Sequence, residues 1–287
     1  MEQLWATSRQ TSLRLVAYDA PAAGAPTAVV LHGLTTGIDV LRTSRPGVDP
    51  FARLANLGVN VVALDWPGHG RSGGRRGHLT YRLAMEAAAT AVGVALARHS
   101  GPVGLVGTAL GGVLAFYAAL EDDRVAAVAC HGLMDLRDIR PVLRRARQGA
   151  LLPVAARLRH RLTEEQQAAV PLPAAAVVAA ADMAEDPRLV RALRRHPQAV
   201  RSYDLASLGS ILLTPEDKPD VAAQSTPVLV VIGADDHVLP ESTARHVASR
   251  LEGSATVWSL PGAGHQLLLE HPTAVLPVVA DWLRGTL

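Results

Sequence analysis

Five short runs of this chain contain no polar side chain at all: Ala28–Leu31, Val61–Leu64, Val103–Val106, Val125–Ala129 and Val228–Ile232. A strand with one face in water alternates apolar and polar residues, whereas a strand buried on both faces has no reason to, and a parallel sheet covered by helices provides that environment. Between and after these runs lie longer stretches with helical spacing, notably Tyr81–Arg98, Leu110–Leu120, Ser242–Leu251 and Pro272–Leu283. The alternation predicts the α/β class, a mostly parallel central sheet with helices on both faces. Leu13–Tyr18 alternates in part and predicts an early edge strand.

The alternation lapses between residues 133 and 223. No good strand is legible there, and amphipathic stretches at Arg137–Arg147, Leu189–Arg195 and Val200–Leu213 are punctuated by Pro141, Pro153, Pro171, Pro173 and Pro187. The pattern predicts a helical insert over 133–223 in a core made of 1–132 and 224–287, a division that 287 residues accommodate in one large domain. The insert's many arginines read as a solvated face.

Charge and cysteine content exclude several functions. The 28 Lys and Arg nearly balance the 26 Asp and Glu, leaving +2, so nothing points to nucleic acid. A single cysteine, Cys130, permits no internal disulfide and no cysteine-cluster metal site, and fits a reducing compartment. The first residues lack a basic region followed by an apolar stretch, so the chain reads as cytoplasmic. Ala168–Ala181 is apolar but broken by Pro171 and Pro173, and it is shorter than the roughly 20 residues a bilayer span requires.

The chemistry concentrates at three loops. At Gly107-Thr108-Ala109-Leu110-Gly111-Gly112 an apolar strand turns sharply into a helix, the setting in which a nucleophile is held in strained geometry beside helix N-terminal amides. The central position, where a hydrolase carries serine, is Ala109. Gly70-Arg71-Ser72-Gly73-Gly74 spells the nucleophile motif, but no helix follows it, so Ser72 is a decoy; Thr108, one residue off the turn, points elsewhere. Downstream, the run Gly233-Ala234-Asp235-Asp236-His237 places a carboxylate after a buried strand, and Pro261-Gly262-Ala263-Gly264-His265 sets a histidine on a glycine-rich loop. Nucleophile, acid and histidine thus come in hydrolase order. Backbone amides of Leu34, after His32-Gly33, and of Leu110 would form an oxyanion hole.

These motifs, with Asp65-Trp66-Pro67-Gly68-His69-Gly70, resemble the α/β-hydrolase superfamily over nearly the whole chain, and within it the monoacylglycerol lipase and lysophospholipase-like group. The resemblance implies that Ala109 occupies the nucleophile site, that Asp236 rather than Asp235 is the acid, and that His265 is the general base. It also implies that His237 is a turn residue and that His32 packs beneath the oxyanion loop. Such a triad needs no metal and no cofactor. Two readings of Ala109 stand: an esterase-type hydrolase lacking its serine, which would trap a bound ester, or a natural binding protein on the same scaffold. A thioesterase or lactonase would use the same triad. The aspartate nucleophile of a dehalogenase fits less well, because Trp5, Trp66, Trp258 and Trp282 all lie outside the insert. The apolar stretches Leu151–Ala155 and Pro171–Val178 are candidate lid surfaces, which suggests an apolar acyl group on the substrate.

Overall fold

The structure, a computed structural model, describes residues 1–140, 151–251 and 255–287. Eight strands form one sheet: β1 (Glu2–Ser8), β2 (Thr11–Tyr18), β3 (Thr27–Leu31), β4 (Asn60–Leu64), β5 (Val103–Thr108), β6 (Val125–His131), β9 (Val228–Gly233) and β10 (Ala255–Leu260). Their order is β1-β2-β4-β3-β5-β6-β9-β10. From β4 to β10 the neighbours run parallel, and the β1–β2 and β2–β4 pairs are antiparallel.

The fully apolar strands are the ones buried on both faces. In β3, Val29 and Leu31 enter one core while Ala28 and Val30 enter the other; β4 divides Val62 and Leu64 from Val61 and Ala63 in the same way. The first core is covered by α3 (Tyr81–Arg98) and α4 (Leu110–Glu121). The second is covered by α1 (Ile38–Thr43), α2 (Pro50–Asn56) and the C-terminal helix Pro272–Thr286.

Two expectations are corrected. Leu13–Tyr18 is not an edge strand: β1 pairs with it along its whole length and takes the edge, so β2 is buried from Leu13 onward. The insert also contains strands, β7 (Pro171–Pro173) and β8 (Ser202–Asp204), a three-residue antiparallel pair too short and too proline-rich to leave a β pattern in the sequence. The Val200–Leu213 stretch divides accordingly, with β8 leading directly into a helix over Leu205–Leu212. The Arg137–Arg147 stretch falls from residue 141 outside the described residues. Among the described residues no helix is long and apolar enough to cross a membrane.

Candidate active site

β5 ends at Thr108 and α4 begins at Leu110, so Ala109 makes the turn alone. It sits at φ 51°, ψ −126°, a setting that costs an L residue on the order of 1–3 kcal/mol and persists only where its surroundings enforce it. They do. A Cβ on Gly107 would lie 2.2 Å from the Gly111 carbonyl oxygen, and one on Gly111 would lie 2.3 Å from that of His32. The backbones cross so closely that only glycine fits either position. The loop after β3 closes against the turn as well, since a Cβ on Gly33 would reach to 3.2 Å from the Ala109 Cβ. This brings Leu34 and Leu110 to the same cavity as Ala109.

Asp236 lies in the turn after β9 and is 3 % exposed. Its Oδ1 accepts hydrogen bonds from the Val238 and Leu239 amides at 2.8 and 2.9 Å, which fixes the carboxylate and leaves Oδ2 for His265. His265 Nδ1 donates to that oxygen at 2.9 Å. The two loops are pressed together by backbone contact: a Cβ on Gly233 would lie 2.3 Å from the carbonyl oxygens of Ala263 and Gly264. From the insert, Glu185 accepts the Gly264 amide at 2.7 Å and braces the histidine loop. Burial alone would raise the Asp236 carboxyl, but the charge of His265, its hydrogen bond and the neighbouring His131 ring hold it well below the usual carboxylate range.

His131, the last residue of β6, escaped the sequence reading. It is buried, its Nδ1 accepts the Ala109 amide at 3.4 Å, and its Nε2 stands 3.7 Å from Asp236 Oδ2. The sequence did carry a signal, a polar residue ending an apolar strand in register with Thr108 at the end of β5. Burial depresses its basicity, so the ring is neutral near pH 7. His131, Asp236 and His265 form, among the described residues, a group of three metal-ligating side chains with ligand atoms within 4.8 Å of one another. With Nδ1 accepting an amide proton, however, a neutral His131 carries its own proton on Nε2. That nitrogen is a donor toward the carboxylate rather than a lone pair for a cation.

The remaining candidates take structural places. Ser72 Oγ donates to the Asp65 carbonyl at 2.6 Å and accepts the Arg14 amide at 2.8 Å, and no helix follows it in the chain until α3. Thr108 is buried at the strand end, while Asp235 and His237 are exposed. His32 Nδ1 donates to the Gly33 carbonyl at 2.8 Å and its Nε2 accepts the Trp66 amide at 3.2 Å, so it props the loop after β3 from beneath. His69 extends that support into the insert: Nδ1 donates to the Pro67 carbonyl at 2.9 Å and Nε2 accepts the Tyr203 hydroxyl at 2.6 Å.

Ala109, His131 and His265 open on a cavity of about 120 Å³ whose other walls are largely apolar, among them Leu41, Met134, Ile139, Leu208 and Leu212. From the Pro171–Val178 stretch it takes Val177 and Val178. Of the other lid candidate, Leu151–Ala155, Val154 is 55 % exposed, and the side chains of residues 151–153 fall outside the description.

A strained strand-to-helix turn, an acid after a later parallel strand and a histidine hydrogen-bonded to it are the arrangement of an α/β-hydrolase. Comparison with known proteins narrows the class. The chain belongs to the family described as "Serine aminopeptidase, S33", whose model matches residues 25–272. It is 30 % identical over 240 residues to the monoacylglycerol lipase of Mycolicibacterium smegmatis, covering 80 % of each chain. Among solved structures, the monoacylglycerol lipase of Paleococcus ferrophilus superposes with a TM-score of 0.72 at 20 % identity, over 96 % of this chain and 99 % of that one. A thermostable carboxyl esterase of Bacillus coagulans, solved with glycerol, gives a TM-score of 0.76 at 15 % identity, over 99 % and 98 %. At those identities the two structures speak for the fold.

Proposed function

We propose that this chain binds a small ester with an apolar acyl group at the catalytic centre of a serine-type ester hydrolase and, having Ala109 at the nucleophile position, holds it without turning it over. The observation that carries the reading is the His265–Asp236 hydrogen bond beside a largely apolar cavity that Ala109 also lines. With Nδ1 committed to the carboxylate, Nε2 is the nitrogen of His265 left to act as a base, and a serine at 109 would give it a proton to take. The amides of Leu34 and Leu110 are assigned to the oxyanion, where two donors stabilise charge that develops in the transition state.

Alanine supplies no nucleophile. Loss of that group costs such a triad on the order of 10⁶ in turnover, while oxyanion stabilisation and binding leave roughly 10³ over water. The stretch from 133 to 223, which contributes Val177, Val178, Met183 and Leu208 to the cavity, is assigned the role of a cap. The ligand class is a monoacylglycerol, on which the Mycolicibacterium relative acts by its name. A buried lone cysteine suits a reducing, cytoplasmic setting.

Calorimetric titration with a monoacylglycerol, followed by assay of the mixture for free fatty acid, tests the reading. Saturable binding with no fatty acid released is expected; absence of binding, or steady release, contradicts it.

A further inference from the structure

The two amides assigned to the oxyanion belong to residues whose side chains meet in one small apolar cluster. Leu34 is part of it and Leu110 packs against it, while its other buried members, Ala174, Val200, Tyr203 and Leu208, all come from the insert. The Thr35 carbonyl, next to Leu34 on the loop after β3, also accepts the Val200 amide at 3.2 Å. Backbone contact fixes this part of the insert on the core: a Cβ on Gly77 would lie 2.1 Å from the Ser202 carbonyl oxygen, one residue before Tyr203. β8 is thereby held against the core beside the loop after β3.

Tyr203 brings a polar atom into the cluster. It is 2 % exposed, and its hydroxyl donates to His69 Nε2 at 2.6 Å. His69 is fully buried and its Nδ1 proton is committed to the Pro67 carbonyl, so in the neutral ring Nε2 carries a lone pair. That nitrogen also stands 3.1 Å from the Leu34 carbonyl oxygen. Two acceptors this close repel unless a donor serves one of them, and the Tyr203 hydroxyl is that donor. Without it, Nε2 would be a buried acceptor with no partner, facing a second acceptor. Either the ring would take up a proton or Leu34 would move, and its carbonyl and amide flank the same Cα.

Resting on the proposed oxyanion assignment, we infer that Tyr203 is a positioning residue for the ester chemistry: acting through His69, it sets where the Leu34 amide points. The insert then supplies part of the framework of the oxyanion site as well as walls of the ligand cavity. Misplacing a group at a reacting centre by about 1 Å costs on the order of 10²-fold, so a hydroxyl that touches no reacting atom can govern turnover.

Two readouts test this. In the chain as it stands, dodecanoylglycerol isotopically labelled at its ester carbonyl is bound, and the carbonyl stretch is recorded by infrared difference spectroscopy. Donation from two amides should lower that frequency below its value for the ester in an apolar solvent, and Tyr203→Phe should raise it again. In an Ala109→Ser background, Tyr203→Phe should lower kcat on an activated ester about 10–100-fold, with KM changed by less than about threefold. With His69→Gln already in place, Tyr203→Phe should have little further effect, because the ring through which it acts is gone. Tyr18→Phe removes a tyrosine hydroxyl that donates to Asp49 at 3.0 Å and does not line the cavity; it should leave both readouts unchanged. An unchanged stretch or an unchanged kcat in Tyr203→Phe would overturn the inference. If the serine variant is silent, the hydrolase reading falls, and the carbonyl stretch of the bound ester still decides the role of Tyr203. A bound ester whose stretch is not lowered to begin with, or no binding at all, would overturn the oxyanion assignment and the inference together.

Discussion

His265 Nδ1 donates to Asp236 Oδ2 at 2.9 Å while the other carboxylate oxygen is held by two backbone amides. The carboxylate is therefore oriented before any ligand arrives, and it sets both the tilt and the tautomer of the imidazole. In an Ala109→Ser background, Asp236→Asn keeps the shape but places an amide where the acceptor was. Turnover should fall about 10⁴-fold, with KM little changed. Steady-state kinetics on an activated ester checks this; a loss below tenfold would remove Asp236 from the role.

Ala109 is held at φ 51° by its neighbours, and glycine adopts that angle without penalty. Set against the entropy that glycine adds to the unfolded chain, relief of the strain should make Ala109→Gly more stable by about 1 kcal/mol. Urea unfolding measures the difference. Destabilisation of similar size would mean that the turn is unstrained.

Burial holds the His69 imidazole down to about 3 from an ordinary 6.5, and it lowers His32 and His131 in the same direction. In the unfolded chain these rings take up protons near 6.5, whereas in the folded one they resist. The unfolded state thus binds more protons below that value, and stability is lost as the pH falls through it. The thermal midpoint should drop steadily from pH 7 to 4.5, before the carboxylates titrate, and His69→Gln should flatten the slope. An unchanged midpoint across that window would contradict the assignment of neutral buried rings.

Arg14 is 3 % exposed and meets Asp65 and Asp39, each at 3.1 Å. Asp65 in turn accepts the Ile38 amide at 2.8 Å, at the end of the loop after β3. Arg14→Met leaves the buried Asp65 without its cation, while Asp39 keeps Arg71 at 3.0 Å, and should cost about 3–5 kcal/mol. Chemical denaturation reads this directly; a loss under 1 kcal/mol would show that water replaces the guanidinium.

The parallel strands, the turn at Ala109 and the Asp236 and His265 loops were legible because each is specified locally, by an apolar run followed by glycines and one polar residue. What escaped is specified by distant partners. β2 looked like an edge strand because its own pattern does not show that β1, a largely exposed strand, folds back along it. β10 lies at the other edge, with most positions half-buried, and presented no apolar run to read. His131 acquires meaning only when β6 is laid beside β5, which sets it against the Ala109 amide and the Asp236 carboxylate. The arginines of Pro187–Arg195 read as a solvated face, and Arg188, Arg191, Arg194 and Arg195 are exposed.

The central claim is that this site is a serine hydrolase's in every part except residue 109, and restoring the residue tests it most directly. Hydrolysis of short- and long-chain p-nitrophenyl esters should be compared for the chain as it stands, for Ala109→Ser, and for Ala109→Ser with His265→Ala. The account predicts turnover in the serine variant alone, lost again without the histidine. Silence from the folded serine variant, or turnover that survives removal of His265, would contradict it.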